Sequence, residues 1–231
     1  MPDIVHYTLE DKVAVIRMDD GKANALSVEM IDALLAALTR AESEASAVVL
    51  TGREGKFCAG FDLRVMMSGP EQAKALLGRG SELLLRLYGA TLPLVVACSG
   101  HAMAGGALVV LTGDTRIAAQ GEFKIGLNEV AIGLPVPVLA MEFARSRLTP
   151  LELTRATLFA QIYAPDAAAT AGYVDRVVAP GELLAAATAE AQRLGALARS
   201  AYKATKLRLR GGIIDDIKAR MVEDMRTLMN P

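Results

Sequence analysis

The sequence predicts an α/β fold with a parallel sheet at its centre, and three observations carry that expectation. Short apolar runs such as Ala47–Thr51 and Leu92–Cys98 read as buried strands. Longer stretches with apolar residues at helical spacing separate them, and strands alternating with helices imply parallel pairing through crossovers. Residues 181–231 carry no strand signal and read as a helical region distinct from a core over residues 1–180.

The elements follow in order. Residues 3–9 and 12–18 alternate polar and apolar around Glu10-Asp11, which is a β-hairpin pattern. Asp19–Leu26 is a loop holding Gly21 and Asn24. Ser27 is an N-cap for a helix over Val28–Ala41, where Met30, Ile31, Leu34, Leu35 and Leu38 fall at helical spacing. After the strand Ala47–Thr51, Gly52–Gly60 is turn-rich and Phe61–Pro70 is a loose segment before a helix over Glu71–Tyr88. Pro93 opens the strand Leu92–Cys98. The small-residue turn Ala104-Gly105-Gly106 then enters a helix ending near Leu111. Asp114–Ala118 and Glu122–Ile125 are short strands. Helices over Val136–Ser146 and Pro150–Phe159, and a helical turn at Asp166–Ala171, precede a strand over Tyr173–Val178. From Pro180 onward the chain reads as helix, interrupted at Gly211-Gly212. The sequence shows no internal repeat.

Composition narrows the function classes. A net charge of −1 gives no global attraction to nucleic acid or anionic membrane. The absence of Trp and an aromatic fraction of 4% weigh against a stacking surface for single strands. Cys58 and Cys98 lack metal-ligand spacing and read as small buried hydrophobes, and with His6 and His101 as the only histidines no metal site is expected. The N-terminal stretch lacks a signal-peptide shape and no apolar run reaches the roughly twenty residues of a membrane span, so the expected compartment is the cytoplasm.

Two glycine turns and one carboxylate are the candidates for chemistry. The turns, Phe57–Leu63 and Ala104–Gly106, each follow a strand, and loops at the carboxyl ends of parallel strands line the binding crevice of an α/β sheet. A glycine turn that starts a helix leaves N–H groups unpaired. Two such groups on one oxygen form an oxyanion hole, worth roughly 3 kcal/mol per donor. Glu129 lies among uncharged neighbours, and if buried its pKa is raised, as suits a general base. Other groups read as structural: Asp114 and Arg116 as a pair, Asp62 as a cap, His101 as a packed loop residue. Ser27 and Ser99 have no adjacent His for a hydrolytic triad. Lys203, Lys206, Arg208 and Arg210 form the densest basic run, which reads as a solvated helix face, a clamp for a ligand's phosphates or a nucleic-acid contact.

FCAGFDL, GHAMAGGALVVLTGDTRIA, FKIGLNE and AAATAGYVDRVV, in that order and spacing, resemble the enoyl-CoA hydratase/isomerase (crotonase) superfamily. The resemblance implies a spiral of ββα units followed by helices used for trimerisation, as a homotrimer or a dimer of trimers. It implies an acyl-CoA thioester substrate, with coenzyme A as part of that substrate and no separate cofactor. Its carbonyl oxygen would meet the N–H groups of Phe61 and Gly105. Lys22, Ala23, Ala25 and Leu26, with Ala59, Asp62, Leu63 and Gly106, match CoA- and substrate-binding loops, and the basic C-terminal run would reach CoA phosphates. Met66, Met67, Leu134 and Phe143 are candidates for the acyl pocket.

One departure separates subclasses. Hydratases of this family carry a glutamate shortly after the second glycine turn as well as one at the position of Glu129; here the first is Leu108. A lone Glu129 suits a 1,3-proton shift, and ALVVLTGDTRIA and FKIGLNEVAIG resemble the Δ3,Δ2-enoyl-CoA isomerases. The alternatives are an enoyl-CoA hydratase, another acyl-CoA lyase or hydrolase on the same scaffold, and a non-catalytic RNA-binding member.

Overall fold

The computed structural model describes residues 4–229; Asp3, the first residue of the expected hairpin, lies outside that range, as do the last two residues of the C-terminal region. Six strands form the larger sheet in the order β1-β2-β3-β5-β7-β9: β1 (Val5–Glu10), β2 (Val13–Met18), β3 (Ala47–Thr51), β5 (Leu94–Cys98), β7 (Thr115–Ala119) and β9 (Arg176–Val178). Only the β1–β2 hairpin is antiparallel; every later neighbour is parallel. A second, three-stranded sheet orders β4 (Gly55–Cys58), β6 (Gly100–Met103) and β8 (Ile125–Gly126), all parallel.

The two sheets are wound together. Three strands of the larger sheet hand the chain directly to one of the smaller sheet: β3 to β4, β5 to β6, β7 to β8. A helix or turn then returns it. After β4 come α2 (Leu63–Met66) and α3 (Pro70–Tyr88). After β6 comes α4 (Gly105–Thr112). After β8 come a 3-10 turn (Val130–Ile132), α5 (Val138–Arg147), α6 (Pro150–Thr157) and α7 (Pro165–Ala171). The result is the expected ββα spiral, in which geometry repeats although the sequence does not.

Burial explains why β3 and β5 are unbroken apolar runs, since both of their faces are covered. Ile16, Val48, Leu50 and Val96 face α1 (Val28–Glu44) and α3, against Met30, Leu34, Leu38 and Leu84. Val13, Val49, Val95 and Ile117 face the other way, onto Leu183, Ala187 and Ala191 of α8 (Leu183–Gly195). Ser27 caps α1 as expected, its Oγ accepting from the Met30 N–H at 3.1 Å.

Several expectations need correcting. β4 lies in the segment read as turn-rich and β6 in one given no element, because four residues opening on a glycine show no alternation. The strand expected over Glu122–Ile125 is confined to Ile125–Gly126, and that over Tyr173–Val178 to its last three residues. Gly211-Gly212 does not interrupt the C-terminal helix: α9 runs unbroken from Arg199 to Met229, and the break falls earlier, after α8. Two interior glycines cost only about 1 kcal/mol each relative to Ala. Arg210, Ile213, Ile214 and Ile217 anchor the segment around them to the core.

Candidate active site

The three strands of the smaller sheet are parallel, so their carboxyl ends share one edge, and each exit carries one of the candidate groups. β4 exits into Gly60-Phe61, β6 into Ala104-Gly105, and β8 into Leu127-Asn128-Glu129. The exits are in contact. A methyl group on Gly60 would stand 3.2 Å from the Gly105 nitrogen, and one on Gly106 only 2.0 Å from the Cys58 carbonyl oxygen. The Ala104 N–H donates to the Gly126 carbonyl at 3.0 Å, which ties the second exit to the third.

The turn geometry leaves the expected N–H groups unpaired. Leu26 and Phe61 form a parallel bridge in which the Leu26 N–H donates to Gly60 and the Asp62 N–H to Leu26, passing over the N–H of Phe61. Ala104 has φ +48°, a strained value for a residue with a side chain, and it turns the chain sharply into α4. Gly105 is the first residue of that helix, where no intrahelical acceptor exists. Among the described residues neither N–H has a backbone acceptor. All eight residues of α4 are buried, and its carbonyl end is met by cations: Arg147 donates to Leu111 and Gly113, and Arg210 to Thr112. The positive end of the helix dipole thus faces the shared edge.

Glu129 is 8% exposed and is the one acidic side chain buried among the described residues. Burial raises its pKa, and the nearby N–H groups of Glu129 itself and of Asn128 pull the other way. Its Oε2 has no hydrogen-bond partner among the described residues. The following 3-10 turn holds the backbone, with Ile132 and Leu134 donating to the Glu129 carbonyl at 3.0 and 2.9 Å. Leu108, in the first turn of α4, is 4% exposed and contributes no polar atom.

The residues matched to CoA-binding loops are also gathered. The Ala59 N–H donates to the Ala23 carbonyl at 3.0 Å, and the Leu26 N–H to Gly60 at 2.8 Å, so the loop containing Lys22, Ala23, Ala25 and Leu26 lies along that of Ala59–Leu63. Lys22 and Leu63 are exposed and Leu26 is fully buried. Asp62 caps α2, accepting from the Arg64 N–H at 2.9 Å. Two residues that hold this arrangement have no such role assigned by the sequence. Asn24, buried at φ +53°, donates from Nδ2 to Met18, Lys56 and Phe57, pinning the first loop to β4. Gly80 of α3 makes room for the Phe61 ring: a methyl group there would stand 2.1 Å from Phe61 Cε1. Asn24 sits among the small apolar residues Ala23, Ala25 and Leu26, which was the available signal; Gly80 gave none.

Other expectations fail. Asp114 does not pair with Arg116. It takes Lys206 at 2.7 Å and Arg210 at 2.8 Å, while Arg116 pairs with Asp175 at 2.5 Å. The basic run is therefore no single clamp. Lys206 and Arg210, four residues apart, point into the core, and only Lys203 and Arg208 are exposed. Phe143 packs against Tyr88 in the core, with ring centroids 4.5 Å apart, and Met67 is 84% exposed. His101 is indeed packed, its Nδ1 accepting from the Lys124 N–H at 3.0 Å.

Comparison with known proteins adds to this geometry. A sequence profile described as Enoyl-CoA hydratase/isomerase matches residues 8–229. The human protein named Enoyl-CoA delta isomerase 1, mitochondrial, is 33% identical over 203 residues, covering 86% of this chain and 67% of that protein. The short-chain-enoyl-CoA hydratase of Clostridium acetobutylicum is 31% identical over 218 residues, covering 90% of this chain and 81% of that protein. The crystal structure of an enoyl-CoA hydratase/isomerase family protein from Pseudomonas syringae superposes with a TM-score of 0.95 at 40% identity, covering 98% of each chain. The chain therefore belongs to the enoyl-CoA hydratase/isomerase family, the crotonase superfamily, over nearly its whole length.

Proposed function

We propose that this family enzyme is a Δ3,Δ2-enoyl-CoA isomerase, which moves a 3-enoyl-CoA double bond to the 2-trans position. The observation that carries the reading is that Glu129 is the one buried acid among the described residues, with Leu108 occupying the place of the second glutamate of hydratases. Addition of water needs a group to hold and activate that water while a proton reaches C2, and a leucine offers none. A proton shift needs one base and a place for the anion. In this scheme Glu129 takes a proton from C2 and returns it to C4. The N–H groups of Phe61 and Gly105 hold the thioester oxygen while its charge develops, assisted by the N-terminus of α4. Lys22, Ala23, Ala25, Leu26, Ala59, Asp62, Leu63 and Gly106 form the surrounding CoA and substrate contacts.

Incubation with 3-hexenoyl-CoA and crotonyl-CoA separately, followed by product identification, tests the reading: the 2-trans isomer is expected from the first and no hydration of the second. Hydration of crotonyl-CoA at a rate comparable to isomerisation would favour the hydratase reading instead. Glu129→Gln is expected to lower isomerisation by at least about a hundredfold while CoA-ester binding persists. The base acts as carboxylate, and burial raises its pKa. Turnover should therefore fall as pH drops, with a midpoint above the ordinary carboxylate range.

A further inference from the structure

α4 carries the Gly105 N–H, so whatever fixes α4 along its axis fixes half of the proposed oxyanion hole. The helix has eight residues and spans about 12 Å. All eight are buried and none is charged. Its one polar side chain, Thr112, donates from Oγ1 to the Val109 carbonyl of the same helix at 2.6 Å. Apolar packing gives the flanks no directional hold, which leaves the two ends. At the first, Gly106 abuts the Cys58 carbonyl and the Ala104 N–H donates to Gly126. At the second, the carbonyls that the last turn leaves over all have donors. Val110 accepts from the Gly113 N–H at 3.1 Å, Thr112 from Arg210 at 3.1 Å, and Leu111 from Arg147 Nε at 3.2 Å. Arg147 also donates to the Gly113 carbonyl at 2.7 Å, so its guanidinium spans the helix end as a fork.

The two arginines differ. Arg210 pairs with Asp114 at 2.8 Å. Arg147 pairs with no carboxylate among the described residues: Asp114 is taken by Lys206 and Arg210, and Asp175 by Arg116. Burial lowers the Arg147 pKa to about 10, and the charges of Arg210 and Arg116 push the same way. An unpaired guanidinium is a costly means of satisfying two carbonyls, since neutral donors would serve. What the planar fork adds is a fixed direction. Its base is firm as well. Arg147 is the last residue of α5, and a methyl group on Gly172, at φ +99°, would stand 2.5 Å from the Arg147 carbonyl oxygen. Beyond it the Leu148 N–H donates to Ala144 at 2.8 Å and the Thr149 N–H to Ala171 at 3.0 Å.

We propose that Arg147 is a positioning residue for the oxyanion hole: its fork on the Leu111 and Gly113 carbonyls sets where α4 stands along its axis, and so where the Gly105 N–H meets the thioester oxygen. This rests on the reading of Phe61 and Gly105 as that hole. Phe61 belongs to a different strand exit and does not travel with α4. A slip of the helix therefore spoils the convergence of the two N–H groups, even though each keeps its own turn.

The test is isotope-edited infrared spectroscopy of bound hexanoyl-CoA carrying 13C at the thioester carbonyl, a saturated ester with no double bond to move. In the unmodified protein, donation from the hole is expected to lower the carbonyl stretching frequency on binding. Arg147→Met should lose at least about half of that lowering, with kcat on 3-hexenoyl-CoA down about tenfold to a hundredfold and KM within about threefold. Arg147→Lys keeps the charge without the fork and should fall between the two. Lys206→Met removes a neighbouring buried cation that bonds to Leu92 and Asp114 and to no α4 carbonyl, and it should keep the full lowering. Full lowering in Arg147→Met overturns the proposal, and so does an equal loss in Lys206→Met, which would mark general loosening. Should Arg147→Met fail to fold, Arg147→Lys decides by the same band: a smaller lowering supports the fork, and an unchanged one overturns it. No lowering in the unmodified protein would sink the oxyanion reading itself, and this proposal with it. The band is read without turnover, so a chain that fails to isomerise 3-enoyl-CoA would sink the isomerase reading alone.

Discussion

Gly80 shows how far from the reacting atoms a single side chain can be felt. It lies in α3, yet the space above it is filled by the Phe61 ring, whose backbone N–H is half of the proposed oxyanion hole. Gly80→Ala favours the helix by about 1 kcal/mol, so helix propensity gives no reason for loss of function. The added methyl group must displace the ring, and with it the turn. Misplacement of a catalytic group by about 1 Å can cost a hundredfold in rate. Gly80→Ala is therefore expected to lower kcat tenfold to a hundredfold with helical circular dichroism retained, and a variant with unchanged kcat would refute this link. Ala104 makes the complementary point. Its positive φ is a local conflict between residue type and backbone, and such conflicts gather where function over-determines the chain.

α9 is fixed by charges that the core has swallowed. Lys206 and Arg210 both reach Asp114, whose Oδ2 also accepts from the Leu94 N–H at 2.8 Å. The two cations are not equivalent. Burial lowers the Lys206 pKa to about 8 despite Asp114, with Arg210 adding repulsion. The folded state therefore releases the lysine proton earlier than the unfolded chain does. Between about pH 8 and the ordinary lysine range the unfolded chain binds more protons, and this group's contribution makes stability rise with pH. At neutral pH the ammonium is a net burden, so Lys206→Met is expected to leave the thermal midpoint unchanged or higher. Arg210 satisfies the carbonyls of Tyr88 and Thr112, so Arg210→Met should destabilise by about 3 kcal/mol. Calorimetry of the two variants checks the order, and a larger loss for Lys206→Met would reverse the argument.

Taken as a molecule, the chain leaves large apolar side chains in solvent on α9, among them Leu207 and Leu209. We propose that the C-terminal region from residue 181 makes the contacts of a homotrimer or a dimer of trimers. Sedimentation equilibrium at micromolar concentration is expected to give three or six times the chain mass, and a monomer throughout would exclude both. The main sheet and its helices were legible in the sequence because β3 and β5 are continuous apolar runs and α1 carries a regular face. The smaller sheet was not, since its strands are two to four residues long and rich in glycine. The glycine turns and Glu129 could be singled out from spacing, whereas their convergence depends on strands that spacing did not reveal. The destinations of Lys206 and Arg210 were hidden for a related reason: their partner, Asp114, lies far away along the chain.

The common edge of β4, β6 and β8 has one more consequence. Because the two N–H groups and the carboxylate arrive on three separate exits, each can be edited without redrawing the others. Position 108 lies a turn beyond one exit, and on the proposed isomerase reading a leucine there in place of a glutamate changes what can be done to a double bond while the rest of the site is kept. On that reading, divergence of chemistry on this scaffold is a matter of swapping fittings at one socket.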